Sequence, residues 1–375
     1  MNTSILTVLI FIGVFAGVVF IHEFGHFVVA RLLGVEVEEF GFGLPPRIMT
    51  MFHWRGTDFT LNWLPIGGFV RPKGENDPNV PGGLAASSPW TRLAVLFAGP
   101  SMNLLLGVAV FSLLFFQIGV PDFTKVQIAD VMANSPAQLA GFHINDVVLT
   151  ANGIPITDQN QLHDVIYSNL DKPIVFTIRR GTQIITITAA PSSARPAGQG
   201  ALGISMAPLM IPSGSVIDSV RYGALAVFDQ ARALILLPAQ LIRGQVGSQD
   251  SRFIGLKGIY DLFGQAVSRD VQSRIPSGSA PSPNGPPITP QTPTYFTLQL
   301  IGVLTISLGV LNLFPFPALD GGRIIFVLPE LIVRRRVPPQ FENVVNAVGM
   351  AILLVFMLYV NVMDFVNPAV VNLPK

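Results

Sequence analysis

An uninterrupted apolar run at residues 5–21 leads directly into His22-Glu23-Phe24-Gly25-His26. On a helix, His22 and His26 are four residues apart and share one face, so both can bind one zinc ion with Glu23 beside them as a base. Ionisable groups at the end of a membrane-spanning helix are costly to bury and mark a functional site by default. The sequence therefore predicts zinc chemistry within a bilayer.

The composition is that of an integral membrane protein with some soluble mass. Half of the 375 residues are hydrophobic and only 12% are charged, against roughly 25% in a soluble domain. A net charge of +1 gives no indication of nucleic-acid binding. Cysteine is absent, so a metal must be bound by histidine and carboxylate. The N-terminal run lacks a basic leader and a clear small-residue cleavage site, so we expect a retained span.

Four stretches are long and apolar enough to cross a bilayer. They are residues 4–30, 92–118, 296–314 and 343–364. Lysine and arginine cluster between the first and second span and between the third and fourth, which predicts that both connections are cytoplasmic. Both termini and residues 119–295 are then extracytoplasmic. We expect four regions along the chain, at 1–118, 119–210, 211–295 and 296–375.

The first connection contains glycine-rich, β-prone segments at 39–46 and 59–70, which predict short strands and a hairpin. Apolar β-structure beside a membrane must be buried in protein or face a cavity. Its exposed edge could pair with an extended peptide. A packed cytoplasmic subdomain fits the same residues equally well.

The long segment between the second and third spans divides into three parts. Residues 122–208 alternate strand, turn and short-helix patterns, which indicate a compact β-rich domain. Residues 214–243 carry Asp218, Arg221, Asp229 and Arg232 among apolar residues and predict an amphipathic helix on the membrane or on that domain. Residues 275–293 are rich in Pro, Ser and Gly and predict a flexible linker.

A catalytic zinc site needs a third protein ligand and an open position for water. Asp320 is the best candidate, because it follows a helix-breaking Pro315-Phe316-Pro317 and is predicted to lie on the same side of the membrane as the histidines. Glu23 lies about 100° round the helix from His22 and can reach the water without binding the metal. These groups predict peptide-bond hydrolysis with zinc as cofactor.

Two resemblances extend this interpretation. Residues 135–141 and 144–153, Ser-Pro-Ala-x-x-Ala-Gly followed by Ile-x-Asp-Val-Val-Leu-x-Ala-Asn-Gly, resemble a PDZ domain. Together with His22-Glu23-x-x-His26 and Asn312-x-x-Pro-x-Pro-x-Leu-Asp320-Gly, the chain resembles a bacterial site-2 protease, an intramembrane zinc metalloprotease, over almost its whole length. Gly99-Pro100-Ser101-Met102-Asn103 matches a further element of that family.

The family resemblance implies a fold, a site and a substrate class. The fold is an α-helical polytopic membrane protein with four spans, an inserted extracytoplasmic PDZ-like domain and a membrane-associated β-hairpin. Its zinc ligands are His22, His26 and Asp320, its catalytic residue is Glu23, and Asn312, Gly67, Gly68 and Asn103 contact substrate. The substrates are single-span proteins, such as anti-sigma factors or remnant signal peptides, cleaved near the cytoplasmic side of a bacterial plasma membrane. A peptide C-terminus is the expected ligand of the PDZ-like domain.

The chain departs from the family pattern in two places. The family's Gly-Pro-x-Gly-Ile element appears only as residues 254–259, and the Pro-rich linker is an insertion.

Two other functions fit the residues. A zinc-binding membrane scaffold would use the same ligands but has no need of Glu23. A metal transporter needs a relay of ionisable residues in the other spans. Those spans hold few ionisable residues, and Asp364 is the main one.

Overall fold

The structure, a computed structural model, describes residues 3–194, 199–244, 254–274 and 294–366. The linker predicted at 275–293 lies outside them. The helices are α1 (Thr3–Leu32), α2 (Pro89–Ile118), α3 (Pro136–Ala140), α4 (Gln159–Ser168), α5 (Val216–Ile242), α6 (Leu256–Gln272), α7 (Phe296–Asn312), α8 (Asp320–Val333) and α9 (Pro339–Val366). The strands are β1 (Val37–Trp54), β2 (Thr57–Pro72), β3 (Val120–Val131), β4 (Val147–Ala151), β5 (Ile154–Pro155), β6 (Ile174–Arg180), β7 (Gln183–Ala189) and β8 (Ile204–Ile211).

These residues form two compact units, one from 3–114 and 220–366 and the other from 115–219. In the first unit, α2 and α7 pack antiparallel through glycines. A side chain at Gly302 would meet the ring of Phe111, and one at Gly309 would meet the backbone of Pro100 at 3.0 Å. Small residues let apolar helices approach closely where no hydrophobic effect drives their association. The end of α7 is thereby placed beside the first half of α2.

Four described helices are long and apolar enough to cross a membrane: Ile5–Leu32, Pro89–Ile118, Val216–Ile242 and Pro339–Val366. The expected third span, α7, is an apolar helix of 17 residues, about 26 Å long, and falls short on length alone. The segment expected to be a surface helix, α5, qualifies instead, because residues 222–242 carry only two charges, Asp229 and Arg232. The surface helix was expected because four charged residues, Asp218, Arg221, Asp229 and Arg232, would be buried in a span.

The predicted hairpin is present, and it folds back on itself. Residues 39–42 of β1 pair with residues 68–71 of β2 on one side and with residues 58–61 of β2 on the other. The remaining part of β1, residues 47–54, pairs with residues 57–62. Two long strands therefore make a small sheet four strands wide, in which residues 68–71 form one edge. This edge faces α1, against which β2 packs.

Two buried carboxylates anchor helix starts in the first unit. Asp364 of α9 accepts hydrogen bonds from the backbone N–H groups of Gly255 and Gly258, at 2.8 and 2.9 Å. Asp270 of α6 accepts from Phe296 and Thr297 at the start of α7, both at 2.9 Å. Unpaired N–H groups at a helix start favour a negative charge. Asp364, singled out in the sequence as a relay candidate, thus holds α6 in place.

The second unit is a six-stranded antiparallel sheet in the order β7-β6-β4-β3-β8, with β5 paired to β4. Its helices lie where the turn signals predict them. Ser135 caps the start of α3 with its side chain, and Gly141 ends α3. The φ angle of Gly141 is +88°, a conformation that glycine adopts without strain. The fully buried Asp146 accepts two hydrogen bonds from Arg180 and raises the pKa of that guanidinium. Strand β8 had no clear signal in the sequence.

Candidate metal centre and active site

Three side chains from α1 and α8 converge on one point. Nε2 of His22 lies 3.2 Å from Nε2 of His26, and Oδ2 of Asp320 lies 3.2 and 3.4 Å from these two atoms. Asp320 is the first residue of α8. Among the described residues, this is the one group of His, Cys, Asp and Glu side chains that could hold a metal ion. The sequence predicted each of the three.

The geometry of this cluster fits zinc. Donor atoms that bind zinc at about 2.0–2.1 Å in a tetrahedron stand about 3.3–3.4 Å apart, close to the three distances found here. Oδ2 of Asp320 is buried and has no hydrogen-bond partner. A buried oxygen without a donor is costly, and a cation at the centre of the cluster would remove that cost. Three protein ligands also leave a fourth position open, as in catalytic zinc sites.

Residues of α2 hold the far side of both imidazole rings. Nδ1 of His26 lies 2.7 Å from the carbonyl oxygen of Val95 and donates to it, which leaves Nε2 free to bind a metal. Nδ1 of His22 lies 3.2 Å from Nδ2 of Asn103, whose Oδ1 is buried without a partner. The two ends of an amide have nearly the same shape. A half-turn of the amide would let Oδ1 accept the Nδ1 proton of His22.

Glycines let α1 and α2 approach at the cluster. A side chain at Gly99 would meet Nε2 of His22 at 2.8 Å and also Nε2 of His26, and one at Gly25 would meet Ala98 and Met102. Gly99 is therefore required by the ligands themselves. The Gly-Pro-x-x-Asn element thus supplies the space for the rings through Gly99 and a polar contact through Asn103.

Glu23 lies beside the cluster and is held by the hairpin. Its Oε2 accepts a hydrogen bond from the backbone N–H of Val70 at 3.0 Å. Since Val70 belongs to the edge formed by residues 68–71, this N–H points away from the sheet. Gly68 lies two residues away, so its backbone groups point the same way. The edge strand and the candidate base therefore face each other.

The loop that carries Asp320 is supported by α9. Ala318 has φ of +75°, a strained value for a residue with a side chain. Its N–H donates to Oδ1 of Asn346 at 3.2 Å, and a side chain at Gly349 would meet the backbone of Pro317 at 2.9 Å. Sequence analysis missed Asn346 and Gly349, because nothing in an apolar helix marks them as partners of a loop.

A cavity of about 480 Å³ opens onto the cluster. Besides the three ligands and Glu23, it is lined by Asn312 at the end of α7 and by the ion pair between Arg323 and Glu75. Gly67 and Gly68 line a neighbouring cavity together with Glu23. Asn103 is fully buried behind His22. Of the four residues expected to contact substrate, three therefore line a cavity and Asn103 does not.

A bundle of apolar helices carrying two histidines, an aspartate and an adjacent glutamate around one point defines a membrane-embedded zinc metalloprotease. The model of Peptidase family M50 matches residues 10–356. The chain belongs to this family, the site-2 protease family, as the motifs indicated.

Curated relatives cover almost the whole chain. "Putative zinc metalloprotease CPE1693" of Clostridium perfringens is 31% identical over 94% of this chain and 97% of its own length. "Putative zinc metalloprotease Cj1068" of Campylobacter jejuni is 32% identical over 92% and 89%. "Metalloprotease MmpA" of Caulobacter vibrioides is 27% identical over 91% of each chain. The prediction of zinc as the metal is thereby confirmed.

Proposed function

We propose that this protein hydrolyses peptide bonds within or near the membrane-spanning segments of single-span membrane proteins. The observation that carries the proposal is the convergence of His22, His26 and Asp320 with Glu23 beside them on the same helix. A structural zinc site in a scaffold has no use for a carboxylate that lies beside the ligands without joining them.

Zinc, when bound, supplies a Lewis acid that makes water acidic enough to lose a proton near neutral pH. The carboxylate of Glu23 takes that proton and delivers it to the leaving amine as the peptide bond breaks. The N–H of Val70 orients Oε2 of Glu23 for this transfer. Nδ1 of His26, through Val95, and Nδ1 of His22, through Asn103, keep both rings oriented toward the open side of the cluster.

The substrate must be unwound, because a helix hides its peptide bonds in its own hydrogen bonds. The edge at residues 68–71 presents outward backbone groups beside Glu23 and would pair with an extended segment. Asn312, on the wall of the same cavity as Val70, is a candidate polar contact for that segment. The residues that bind the metal and those that hold the substrate thus meet at Glu23.

The orientation follows from the distribution of arginine and lysine. Lysine and arginine cluster in the connections between α1 and α2 and between α7 and α9, with four basic residues in each, which favours the cytoplasmic side for both. The active site then lies near the cytoplasmic end of α1 in a bacterial plasma membrane. The β-rich second unit is then extracytoplasmic, where a PDZ-like domain could bind a peptide C-terminus by strand addition.

The test is cleavage of a panel of single-span reporter proteins by the purified protein in liposomes, with bound zinc quantified. Wild type and Glu23→Gln are compared. We expect cleavage by wild type only, with one zinc retained by both. Zinc retention without cleavage of any reporter would favour a structural site, and loss of zinc from both proteins would contradict the metal centre.

A further inference from the structure

A second cavity, of about 340 Å³, lies between α1 and the hairpin and shares Glu23 with the cavity at the candidate metal centre. Ala16, Gly17, Phe20 and Glu23 contribute one wall from α1, and the hairpin contributes the opposite wall. The hairpin residues are Phe40, Gly41, Phe42, Gly43, Leu61, Asn62, Gly67 and Gly68. Apart from Glu23 and Asn62, all are apolar or glycine. The candidate base thus belongs to the walls of both cavities.

The cavity is large enough for one bulky apolar side chain. A cavity of about 150 Å³ lined by apolar residues already binds benzene, and ligand pockets begin at about 300 Å³. The rings of Phe20 and Phe42 stack with their centroids 5.4 Å apart and form an aromatic floor. At Gly17 an added side chain would meet nothing within 4 Å. Because Gly17 has no side chain, the space in front of it is open.

One polar group in the wall lacks a partner. Asn62 is almost fully buried; its Nδ2 donates to the carbonyl oxygens of Phe42 and Gly43, at 3.3 and 3.2 Å, and its Oδ1 is buried without a hydrogen-bond partner. A buried acceptor without a donor is costly. An unwound peptide segment carries free N–H groups, and one of them would supply the missing donor. Oδ1 of Asn62 thus indicates that the cavity binds a backbone N–H of a peptide as well as one of its side chains.

We propose that this cavity is a specificity pocket for the residue next to the scissile bond, and that it selects large aliphatic or aromatic side chains. The inference rests on the proposed function, since it deepens the same site. Glu23 must lie next to the bond that is cleaved, so a side chain in a cavity walled by Glu23 belongs to a residue flanking that bond. Gly17 sets the depth of the pocket, and Asn62 receives a backbone N–H of the bound segment.

The first experiment compares Gly17→Leu with Gly13→Leu in liposomes. Gly13 lies on the same face of α1 one turn away, is equally open, and does not line the cavity. The cleavage site in a reporter is mapped by mass spectrometry, and each flanking residue is changed to Ala, Leu or Phe. We expect Gly17→Leu to lower cleavage of the Leu and Phe reporters at least about 10-fold relative to the Ala reporter. Gly13→Leu should keep the wild-type preference.

The second experiment does not require cleavage. Since the chain contains no cysteine, Gly17→Cys introduces a single thiol. This variant also carries Glu23→Gln, and it is incubated with a series of reporters that each have one cysteine at a different position of the spanning segment. We expect disulfide cross-linking to peak at one or two reporter positions for Gly17→Cys and to be absent at those positions for Gly13→Cys.

The outcomes separate the pocket from the proteolytic function. Cleavage with the same residue preference in wild type and Gly17→Leu, or cross-linking without positional preference, would overturn the pocket and leave the protease. Absence of both cleavage and cross-linking would overturn both. Position-selective cross-linking without cleavage would support the pocket and contradict the protease.

Discussion

The side-chain amide of Asn103 lies 3.2 Å from Nδ1 of His22, the ring nitrogen that does not face Asp320. Asn103 is fully buried. The family resemblance suggested contact with substrate, whereas the geometry favours a role in fixing the tautomer and orientation of a zinc ligand. Partners of this kind behind a ligand are typically worth a factor of about 10–100 in metal affinity.

We therefore expect Asn103→Leu to lower zinc affinity about 10–100-fold, because Nδ1 of His22 loses its polar partner. Asn103→Asp keeps an oxygen that can accept the proton and should retain more of the affinity. Competition with a chelator of known affinity measures the difference. Equal affinities in wild type and Asn103→Leu would contradict the positioning role.

Removal of zinc should destabilise the first unit. A ligand present at 100 times its dissociation constant stabilises the folded state by about 2.7 kcal/mol, so a chelator should lower the Tm and added zinc should restore it. His22→Ala should abolish this response. His53→Ala is the matched control, because His53 pairs with Asp58 on the hairpin. A Tm of wild type that is insensitive to zinc would count against the site.

Asn346→Leu should weaken zinc binding from a distance. It removes the acceptor for the N–H of Ala318, whose φ of +75° is held by its surroundings, and a relaxed loop would shift Asp320. We expect a loss of stability of about 1–3 kcal/mol together with lower zinc affinity. The exposed Asn343 on the same helix provides the control, Asn343→Leu. A stability loss with unchanged zinc affinity would show that the position of Asp320 does not depend on Asn346.

Asp364→Ala should destabilise the fold without affecting zinc. It leaves the N–H groups of Gly255 and Gly258 without their shared acceptor, at a cost of about 1–3 kcal/mol for each unsatisfied group. Asp364→Asn keeps an acceptor and should cost less. Thermal unfolding and zinc content are the two readouts. A loss of metal transport or zinc content in Asp364→Asn, with normal stability, would instead revive a relay function.

Val70→Pro should lower cleavage while zinc is retained. Proline has no N–H, so Oε2 of Glu23 loses its backbone donor and the base is no longer oriented. A positioned base contributes about 10²–10⁴-fold to the rate, and we expect a loss of at least about 10-fold. Val70→Ala keeps the N–H and is the control. Equal rates for the two variants would show that the edge strand does not orient Glu23.

The convergence of the three candidate ligands could be predicted from sequence because each lies in a local pattern. His22 and His26 follow from helix periodicity, and Asp320 follows a Pro-x-Pro break that ends α7. The supporting contacts could not be predicted in the same way. Asn346 acts on Ala318 across 28 positions and Asp364 acts on Gly255 across 109, and no periodicity connects such distant residues.

The fold shows the same division between local and long-range information. Strands β6 and β7 and helices α3 and α4 appear where turn chemistry predicts them, because those signals are local. The double pairing of residues 39–42 depends on one strand meeting two parts of another. The expectation of a surface helix at 214–243 rested on its charged residues, whereas α5 is also long and apolar enough to cross a membrane by length and composition.

The ion pair between Arg323 and Glu75 connects two parts of the machinery that have separate tasks. Arg323 follows the candidate zinc ligand Asp320 by one turn of α8, and Glu75 follows the end of β2 by three residues. The ion pair therefore joins the helix that begins at Asp320 to the chain segment that leaves the edge strand, and any coupling between metal binding and peptide binding across it must be reciprocal in free energy.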